Sequence, residues 1–572
     1  MNNKAKWIYK IFLNNRKAFL ISFSFSLLAA FVEITSISLL FPIFSILSNT
    51  PANDNLTSRV IALLKSLMGS ELNLLVLIGI MLGLMFLSSL FKYFARIIIN
   101  YHELRFNLNL KREFLSLFTK ANWTFIIKSH EGRFLNIFSQ YTTTVTRTLF
   151  YFNELLIDLI FTVTYIVFII AISPFLTICV IAIGLIAGPI LKISYWHIRH
   201  LWKLNINLQN DLANKFFEYF RGFKTFKSMS LEKLFLNELD YDLQGFTRNE
   251  LRSYRISAGL KTFGEPFFTL IGSVVLIISY YWFSLEIGKI AVLMAVLVKL
   301  YARLNTFQVN GGKLFQMLPA LDIYKDYQQQ ALAASENRKG QSLTNHIQTL
   351  EANDLSFIYP DGTVVFENVS FKLDIQSGLF GVAGPSGVGK STFIDILSGL
   401  ILPTSGSYKI NEIEINNINL TTFRKKVGFV PQTPMLFKRS IKENISLEDD
   451  SKTNIGLMKE CSQMADASRF IESLTRGYDT VIGEDGSNLS VGQTQRISIA
   501  RALYQKPEIL FFDEPTSALD KRSSTEVMKT IADISIKYPV FVISHDESLF
   551  DNVKTLIKLN GKRIKIVESN TS

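Results

Sequence analysis

The sequence contains the run Gly384-Pro-Ser-Gly-Val-Gly-Lys390-Ser391. It fits the phosphate-loop pattern G-x-x-x-x-G-K-[ST], and it lies between a strand-like run, Leu379–Ala383, and a helix-like run, Ser391–Leu400. The glycines let backbone N–H groups turn towards phosphates, Lys390 brings positive charge to the β- and γ-phosphates, and Ser391 offers a hydroxyl to Mg²⁺. A chance glycine-rich turn is the alternative, but a strand and a helix on either side favour a nucleotide site.

A second run further along the chain supplies acids for such a site. The apolar residues Ile509–Phe512 predict a buried strand, and Asp513 and Glu514 follow at its end. Asp513 is placed to hold Mg²⁺ and Glu514 to polarise an attacking water. Two acids after a strand are common at surfaces, so this pattern gains its meaning from the phosphate loop. From about Ile347 short strands alternate with helical patterns, which predicts an α/β domain with a parallel sheet.

The first half of the chain reads as membrane-embedded. The 572 residues are 48% hydrophobic and only 19% charged, more apolar than a soluble core requires. A bilayer span needs about 20 mostly apolar residues. Lys299 and Arg303 interrupt the last of the candidate spans, which makes it the weakest. Six stretches qualify or nearly qualify: Ala18–Leu47, Leu72–Phe91, Leu149–Ser173, Phe175–Tyr195, Phe263–Phe283 and Ile290–Leu304.

The charge distribution predicts the orientation of these spans. The connections Lys92–Arg147 and Lys192–Lys261 are strongly basic, which places them and both termini in the cytoplasm. Their apolar residues recur at helical spacing, so we expect the spans to continue into the cytoplasm as helices. We therefore expect an all-α six-helix transmembrane domain over residues 1–312, a linker over 313–346 and an α/β nucleotide-binding domain over 347–572.

Further motifs resemble the ATP-binding cassette (ABC) family, and the resemblance covers essentially the whole chain. Leu489–Gln493, followed by Thr-Gln-Arg496, resembles the family's signature motif, with Val491 where glycine is usual. Gln432 resembles the Q-loop glutamine, Ser517–Asp520 the D-loop, His545 the switch histidine, and Tyr359 the aromatic residue that stacks on adenine.

The resemblance implies ATP and Mg²⁺ as cofactors, and a homodimer in which each signature motif faces the partner's phosphate loop. The residues expected to be catalytic are Glu514, His545 and Gln432. Those expected to hold Mg²⁺ are Ser391, Gln432 and Asp513. Those expected to bind the nucleotide are Tyr359, Gly384, Pro385, Ser386, Gly387, Val388, Gly389, Lys390, Ser391, Thr392, Gln432, Ser490, Gly492, Gln493 and Asp513.

Six spans before the cassette resemble the exporter arrangement of this family, in a bacterial inner membrane. The resemblance implies ATP-driven export or flipping of an amphiphilic substrate. By the same resemblance, the short segments Asn122–Glu131 and Ser230–Leu239 are coupling helices, and Gly483–Gly486 is an exporter-specific contact loop.

Three charged residues within the spans are candidates for substrate binding: Glu33, Lys299 and Arg303. One interpretation is a cationic patch for an anionic head group. The other is that Glu33 pairs with one of these bases, or that Arg303 marks the cytoplasmic interface.

The stretch Phe31–Pro42 resembles bacterial exporters that include the lipid-linked oligosaccharide flippase, whose cargo carries a pyrophosphate. Peptides or other amphiphiles are the alternative cargoes. The charge of +12 would also suit a soluble cassette protein on nucleic acid, but six spans argue against it and we expect no nucleic-acid partner. A further alternative is an ATP-gated regulator or channel that does not pump. The presence of Glu514 argues against this alternative.

Overall fold

The protein is described here from a computed structural model. The structure describes residues 16–47, 74–129, 131–172, 174–281, 287–336, 338, 340–448, 452–483, 489–544, 550 and 553–568. The chain divides into two compact units. The first consists of Met1–Thr119 and Ser129–Gln330, and the second of Lys120–Lys128 and Ala331–Ser572.

The first unit is helical, as its long apolar runs predict. A π-helix, Ile137–Tyr141, connects two of its helices. The α-helices in chain order, including a short one that belongs to the second unit, are α1 Arg16–Ser38, α2 Leu40–Leu47, α3 Leu74–Lys120, α4 Trp123–Lys128, α5 Glu131–Asn136, α6 Thr142–Ile172, α7 Pro174–Arg221, α8 Phe223–Ser228, α9 Glu232–Tyr281 and α10 Ile287–Ala333.

Among the described residues, four helical stretches are long and apolar enough to cross a membrane: Arg16–Phe44, Leu74–Lys120, Gly132–Ile172 and Gly288–Ala333. They correspond to the predicted spans one, two, three and six. Predicted spans four and five fall within α7 and α9, which are 48 and 50 residues long and contain several side chains outside the described set. The prediction that the basic connections are helical is confirmed, since α3, α7 and α9 run far beyond the apolar stretches.

The second predicted coupling helix is wrong in position. The first, Asn122–Glu131, contains α4, but Ser230–Leu239 contains a turn and the start of α9. The short helix instead precedes it as α8, because Gly222 separates α7 from α8 and Ser230, with a φ of +57°, ends the turn after α8. The prediction placed the segment about two helical turns too late along the chain.

Packing in the first unit centres on α1, α6 and α10. Aromatic residues of α6 occupy the middle of this core, where Phe161 and Tyr165 are fully buried. The buried residues around them are Ala29, Ala30, Ile37, Phe41, Ile157, Ile169, Val292, Leu293, Val296, Leu297 and Leu300.

The second unit contains two sheets. A four-stranded antiparallel sheet has the order β2-β1-β4-β5, and a six-stranded sheet has the order β10-β9-β3-β8-β7-β6. In the larger sheet every neighbouring pair is parallel except β10 with β9, which confirms the predicted α/β fold. The strands are β1 Thr349–Ile358, β2 Val364–Asp374, β3 Gly378–Ala383, β4 Ser405–Ile410, β5 Ile413–Glu414, β6 Val427–Val430, β7 Ile509–Phe512, β8 Pro539–Ile543, β9 Thr555–Asn560 and β10 Arg563–Glu568.

The α-helices of this unit that follow β3 alternate with the remaining strands along the chain. They are α11 Lys390–Leu397, α12 Leu420–Arg424, α13 Ile441–Ser446, α14 Ile455–Met464, α15 Ser468–Ser473, α16 Val491–Tyr504 and α17 Lys521–Ser535. β3 and β7 both pair with β8, so their carboxyl ends reach the same edge of the sheet. The phosphate loop follows β3 and the two acids follow β7, which brings distant parts of the sequence together at the place where α/β folds bind ligands.

Candidate nucleotide site and related proteins

The phosphate loop has a backbone shape that requires glycine. Gly384, Gly387 and Gly389 have φ angles of +157°, +76° and +100°. A Cβ on Gly389 would lie 2.4 Å from Cγ1 of Val365, and one on Gly384 would lie 2.6 Å from the carbonyl oxygen of Leu559. The loop therefore packs closely against one strand of each sheet and leads directly into the N-terminus of α11, an arrangement suited to anionic phosphates.

Lys390 and Ser391, at the start of α11, face the loop and the acids. The Lys390 ammonium donates to the carbonyl oxygens of Gly384 and Pro385, each at 3.0 Å. The Ser391 hydroxyl donates to Oδ1 of Asp513 at 3.1 Å. A hydroxyl and a carboxylate from separate elements thus lie side by side, and such hard oxygen donors fit the coordination that Mg²⁺ prefers.

Gln432 and Glu514 form the second polar pair of the site. The Gln432 side-chain amide donates to Oε2 of Glu514 at 2.9 Å. Glu514 has a φ of +46°, which is unusual for a residue with a side chain and indicates that surrounding contacts hold it there. Strained residues of this kind concentrate at functional sites.

Burial shifts the pKa values of two charged side chains in the site, Asp513 and Lys390. It raises the pKa of Asp513, a shift opposed by the Ser391 hydrogen bond and reinforced by the Glu514 charge. It also lowers the pKa of Lys390, against the attraction of Glu514 and Asp513. A divalent cation beside the carboxylates would offset the cost of burying them.

The sequence-based prediction left out one acid near the site. Asp395 lies on α11, and burial, followed by the charge of Asp513, raises its pKa from 3.8 to about 7. In the sequence, Asp395 lies within the helix-like run that follows the phosphate loop. A charged residue within an otherwise apolar helix was the available signal.

Tyr359 lies against α11. Its hydroxyl is 3.0 Å from Oγ1 of Thr392, and its ring packs edge-to-face on Phe357 with centroids 4.9 Å apart. Two of the predicted nucleotide residues are therefore in contact, and an aromatic ring lies beside the first turn of the phosphate-loop helix.

The signature motif forms a capped helix start. Ser490 is the N-cap of α16, and it exchanges side-chain and backbone hydrogen bonds with Gln493 in a capping box. Val491, the departure from the family pattern, is 53% exposed, so its side chain costs no packing within this unit. Of the remaining predicted residues, His545 and Glu484–Gly486 lie outside the described part of the chain.

The charged residues predicted in the membrane half are joined by ion pairs in the first unit. Glu33 is buried and accepts hydrogen bonds from Lys92 and, at 2.8 Å, from the Tyr165 hydroxyl. The Lys299 ammonium lies 3.2 Å from the same carboxylate, and its side chain is 46% exposed. The interpretation in which Glu33 pairs with a base therefore describes this geometry.

Arg303 forms an ion pair with a different acid, Asp158. Its guanidinium lies 3.5 Å from Oδ1 of Asp158 and 4.1 Å from the centre of the Phe161 ring. Thr306 and Asn310 also donate to the Asp158 carboxylate, at 2.8 and 3.0 Å. Asp158 and Lys92 were not among the predicted site residues, because their sequence neighbourhoods resemble span ends and cytoplasmic connections.

Comparisons with known proteins agree with this architecture. The sequence model of the family "ABC transporter transmembrane region" matches residues 19–303, and that of the family "ABC transporter" matches residues 366–517. ABC transporter B family member 14 of Arabidopsis thaliana is 39% identical over 249 residues, which are 43% of this chain and 20% of that protein. The alpha-hemolysin translocation ATP-binding protein HlyB of Escherichia coli is 29% identical over 438 residues, 72% of this chain and 58% of that protein.

A solved structure shows the same fold. It is the structure of a bacterial Atm1-family ABC exporter with ATP bound, and the likeness has a TM-score of 0.80 at 20% identity over 97% of this chain and 95% of the other. The curated relatives are matched over only part of their length, as the 20% and 58% coverages state. The two family matches, taken with the phosphate loop and its acids, establish that the chain belongs to the ABC transporters, with a transmembrane region followed by a domain that binds ATP with Mg²⁺.

Proposed function

We propose that the protein uses ATP hydrolysis to export or flip an amphiphilic molecule across a membrane. The observation that carries the proposal is the pair of contacts Ser391–Asp513 and Gln432–Glu514 beside the phosphate loop. A protein that only bound nucleotide would need the first contact, but the second serves hydrolysis. The names of the relatives, a translocation ATP-binding protein and an ABC exporter, support transport as the use of that energy.

The proposal assigns roles in ATP binding or hydrolysis to predicted residues of the nucleotide site. Bound Mg²⁺–ATP supplies the phosphoanhydride bond that is hydrolysed. Backbone N–H groups of residues 384–389 and the Lys390 ammonium hold the phosphates, and Ser391, Asp513 and Gln432 supply oxygen atoms to the metal. The Glu514 carboxylate accepts a hydrogen bond from the attacking water and so orients and polarises it. Tyr359 is proposed to stack on adenine and His545 to contact the γ-phosphate.

The proposed active form is a homodimer. Ser490, Gly492 and Gln493 sit at the start of α16, and Ser490 and Gln493 make their capping hydrogen bonds within its first turn. We propose that they contact the nucleotide held by a second copy of the chain, so that each of the two sites takes residues from both subunits. The proposed location is a bacterial inner membrane, with both termini cytoplasmic.

The proposed cargo is an anionic amphiphile such as a lipid-linked oligosaccharide. Two ammonium groups, Lys92 and Lys299, share the single Glu33 carboxylate, and Lys299 is the more exposed of the two lysines. One positive charge is therefore in excess within this cluster, and a phosphate or pyrophosphate would balance it. A peptide cargo is the second candidate, suggested by the name of the HlyB relative.

The test is ATPase activity of the full chain in lipid nanodiscs, with and without a polyprenyl-pyrophosphate oligosaccharide. Glu514→Gln should reduce turnover by about 10²-fold or more, since it removes the group that activates water. Lys299→Ala should lower stimulation by the lipid while basal turnover persists, and Lys203→Ala, at an exposed position of α7, is the matched control.

Three results would contradict parts of the proposal. Full turnover by Glu514→Gln would refute the hydrolytic role. Stimulation by the lipid that is equal in the native, Lys299→Ala and Lys203→Ala chains would refute the cargo site, and the absence of any stimulation would refute the lipid cargo and make peptides the next probe.

A further inference from the structure

A segment from the middle of the first long connection is part of the nucleotide-binding unit. The short stretch Lys120–Lys128 belongs to the second compact unit, although α3, which leads into it, belongs to the first. Ala121 and Ser335 form an antiparallel bridge. The Asn122 N–H donates to the Ala334 carbonyl at 2.8 Å, and the Glu336 N–H donates to the Lys120 carbonyl at 2.9 Å. We call this pairing of residues 120–122 with 334–336 the junction.

One arginine attaches the junction to the core of the domain. Arg424, the last residue of α12, makes a bidentate ion pair with the Glu336 carboxylate, with N–O distances of 2.7 and 3.0 Å. The Glu336 side chain is only 8% exposed. A planar guanidinium bound through two parallel hydrogen bonds has a fixed orientation relative to its carboxylate. The junction and α12 are therefore held in register.

The same guanidinium also contacts the phosphate-loop helix. Two of its nitrogens donate to the carbonyl oxygen of Gly399, at 3.2 and 2.6 Å. Gly399 has a φ of +68° and lies just past the end of α11. That helix begins at Lys390, so about 12 Å of continuous helix separates the phosphate-binding end from the Arg424 contact.

Space for movement lies beside the junction. A cavity of about 330 Å³ is lined by residues that include Asn122, Glu336, Pro360, Leu400 and Arg424. Pro360 follows Tyr359, the proposed adenine contact. A packed interior would resist a shift of residues 120–124, but this cavity leaves room for a small displacement.

We propose that Arg424 is a positioning residue that couples nucleotide binding at the start of α11 to the junction, and thereby to the chain that leads back into α3. The inference rests on the proposed function, because it matters only if nucleotide drives the membrane helices. A displacement of α11 moves the Gly399 carbonyl, Arg424 follows it, and Glu336 carries the movement to residues 120–122. The links in this path are α11, the two hydrogen bonds from Arg424 to the Gly399 carbonyl, and the bidentate Arg424–Glu336 pair.

The test is hydrogen–deuterium exchange of the full chain in nanodiscs, with and without Mg²⁺–ATP, in the Glu514→Gln chain to prevent turnover. ATP should slow exchange in peptides from α11 and also in peptides covering residues 120–128. Adding Arg424→Gln should keep the first response and abolish the second. It should also speed exchange of the Asn122 and Glu336 amides by about ten-fold, because two charge-assisted hydrogen bonds are lost.

Three further variants separate coupling from simple loss of structure. Glu336→Gln keeps the shape of the partner but removes its charge, so it should weaken the response of residues 120–128 in the same way. Arg424→Lys keeps the charge but cannot bridge both acceptors, so the response should be partial. Lys562→Gln removes an exposed ion pair with Glu367 and should leave both responses intact.

The outcomes distinguish the two proposals. If ATP does not slow exchange in α11 of the Glu514→Gln chain, the proposed function fails. If α11 responds but residues 120–128 do not, or if they respond equally in Arg424→Gln and Glu336→Gln, the role of Arg424 is refuted.

Discussion

At the scale of single residues, the nucleotide site depends on how burial changes the chemistry of its acids. Asp395 illustrates this, because it has the same side chain as Asp513 but no proposed ligand. Burial, and then the charge of Asp513, raise the pKa of Asp395 to about 7. This folded-state pKa is above the usual value of 3.8. The folded chain therefore holds a proton that the unfolded chain has lost, in the range between these two values.

We predict that Asp395→Asn stabilises the protein at alkaline pH. The stabilisation from the protonated Asp395 is fully present below pH 3.8 and is lost as pH rises through about 7. An asparagine never ionises, so the variant avoids this loss, and its advantage should be about 1–3 kcal/mol larger at pH 8 than at pH 5. The measurement is the melting temperature of the full chain at both pH values. Asp533→Asn, at an exposed position of α17, is the control, and an advantage independent of pH would contradict the prediction.

At the scale of elements, close helix packing in the first unit depends on glycines in α10. A Cβ on Gly311 would lie 2.9 Å from the Tyr195 hydroxyl, whereas one on Gly312 would meet the same ring at an ordinary 3.6 Å. Tyr195 cannot move without cost, because its hydroxyl donates to the Gln308 carbonyl at 2.7 Å and its ring stacks on Phe315. The two neighbouring glycines therefore differ in the space available for a side chain.

We predict opposite effects for alanine at these two positions. Gly312→Ala should raise stability by up to about 1 kcal/mol, since alanine favours helix. Gly311→Ala gains the same propensity but displaces Tyr195 from its hydrogen bond, so a net loss of about 1 kcal/mol is expected. Melting temperatures of both variants, alone and with Tyr195→Phe, provide the measurement. The penalty at Gly311 should shrink in the Tyr195→Phe chain, and equal effects at both glycines would contradict the packing argument.

At the scale of the whole molecule, the proposed homodimer makes each hydrolytic site from two chains. The phosphate loop, Asp513 and Glu514 would come from one subunit, and Ser490 from the other. A defect in one half of a site can then be complemented by a partner that carries a defect in the other half.

We predict that chains carrying Glu514→Gln and chains carrying Ser490→Arg are each inactive alone but recover ATPase activity when co-expressed. The mixed dimer has one site with both intact halves, so up to about a quarter of native activity is expected for random pairing. Co-expression of Glu514→Gln with Lys390→Ala is the matched control, since both defects affect the same half. Activity in that control, or none in the first mixture, would contradict shared sites.

The sequence by itself determined the two-part architecture, and it predicted the residues of the candidate nucleotide site. Both signals are local: a membrane span follows from about 20 consecutive apolar residues, and a phosphate loop from glycines at fixed spacing before a helix. Gly389 had to be glycine wherever the loop lay, because its φ of +100° is a property of the loop itself. Asp513 and Glu514 were likewise predicted as site residues from the strand that precedes them. The helix boundary at Gly222 was harder to predict, because the composition of this region is compatible with a short helix at several positions.

Only the tertiary structure decided which distant residues share an environment. Glu33 meets Lys92 and Lys299, and Arg424 meets both Glu336 and Gly399, across separations that carry no periodic signal. The high pKa of Asp395 also arises from the packing around it. Charge interactions and burial depend on distance in space, and the path of the chain sets that distance only once the helices and sheets have packed together.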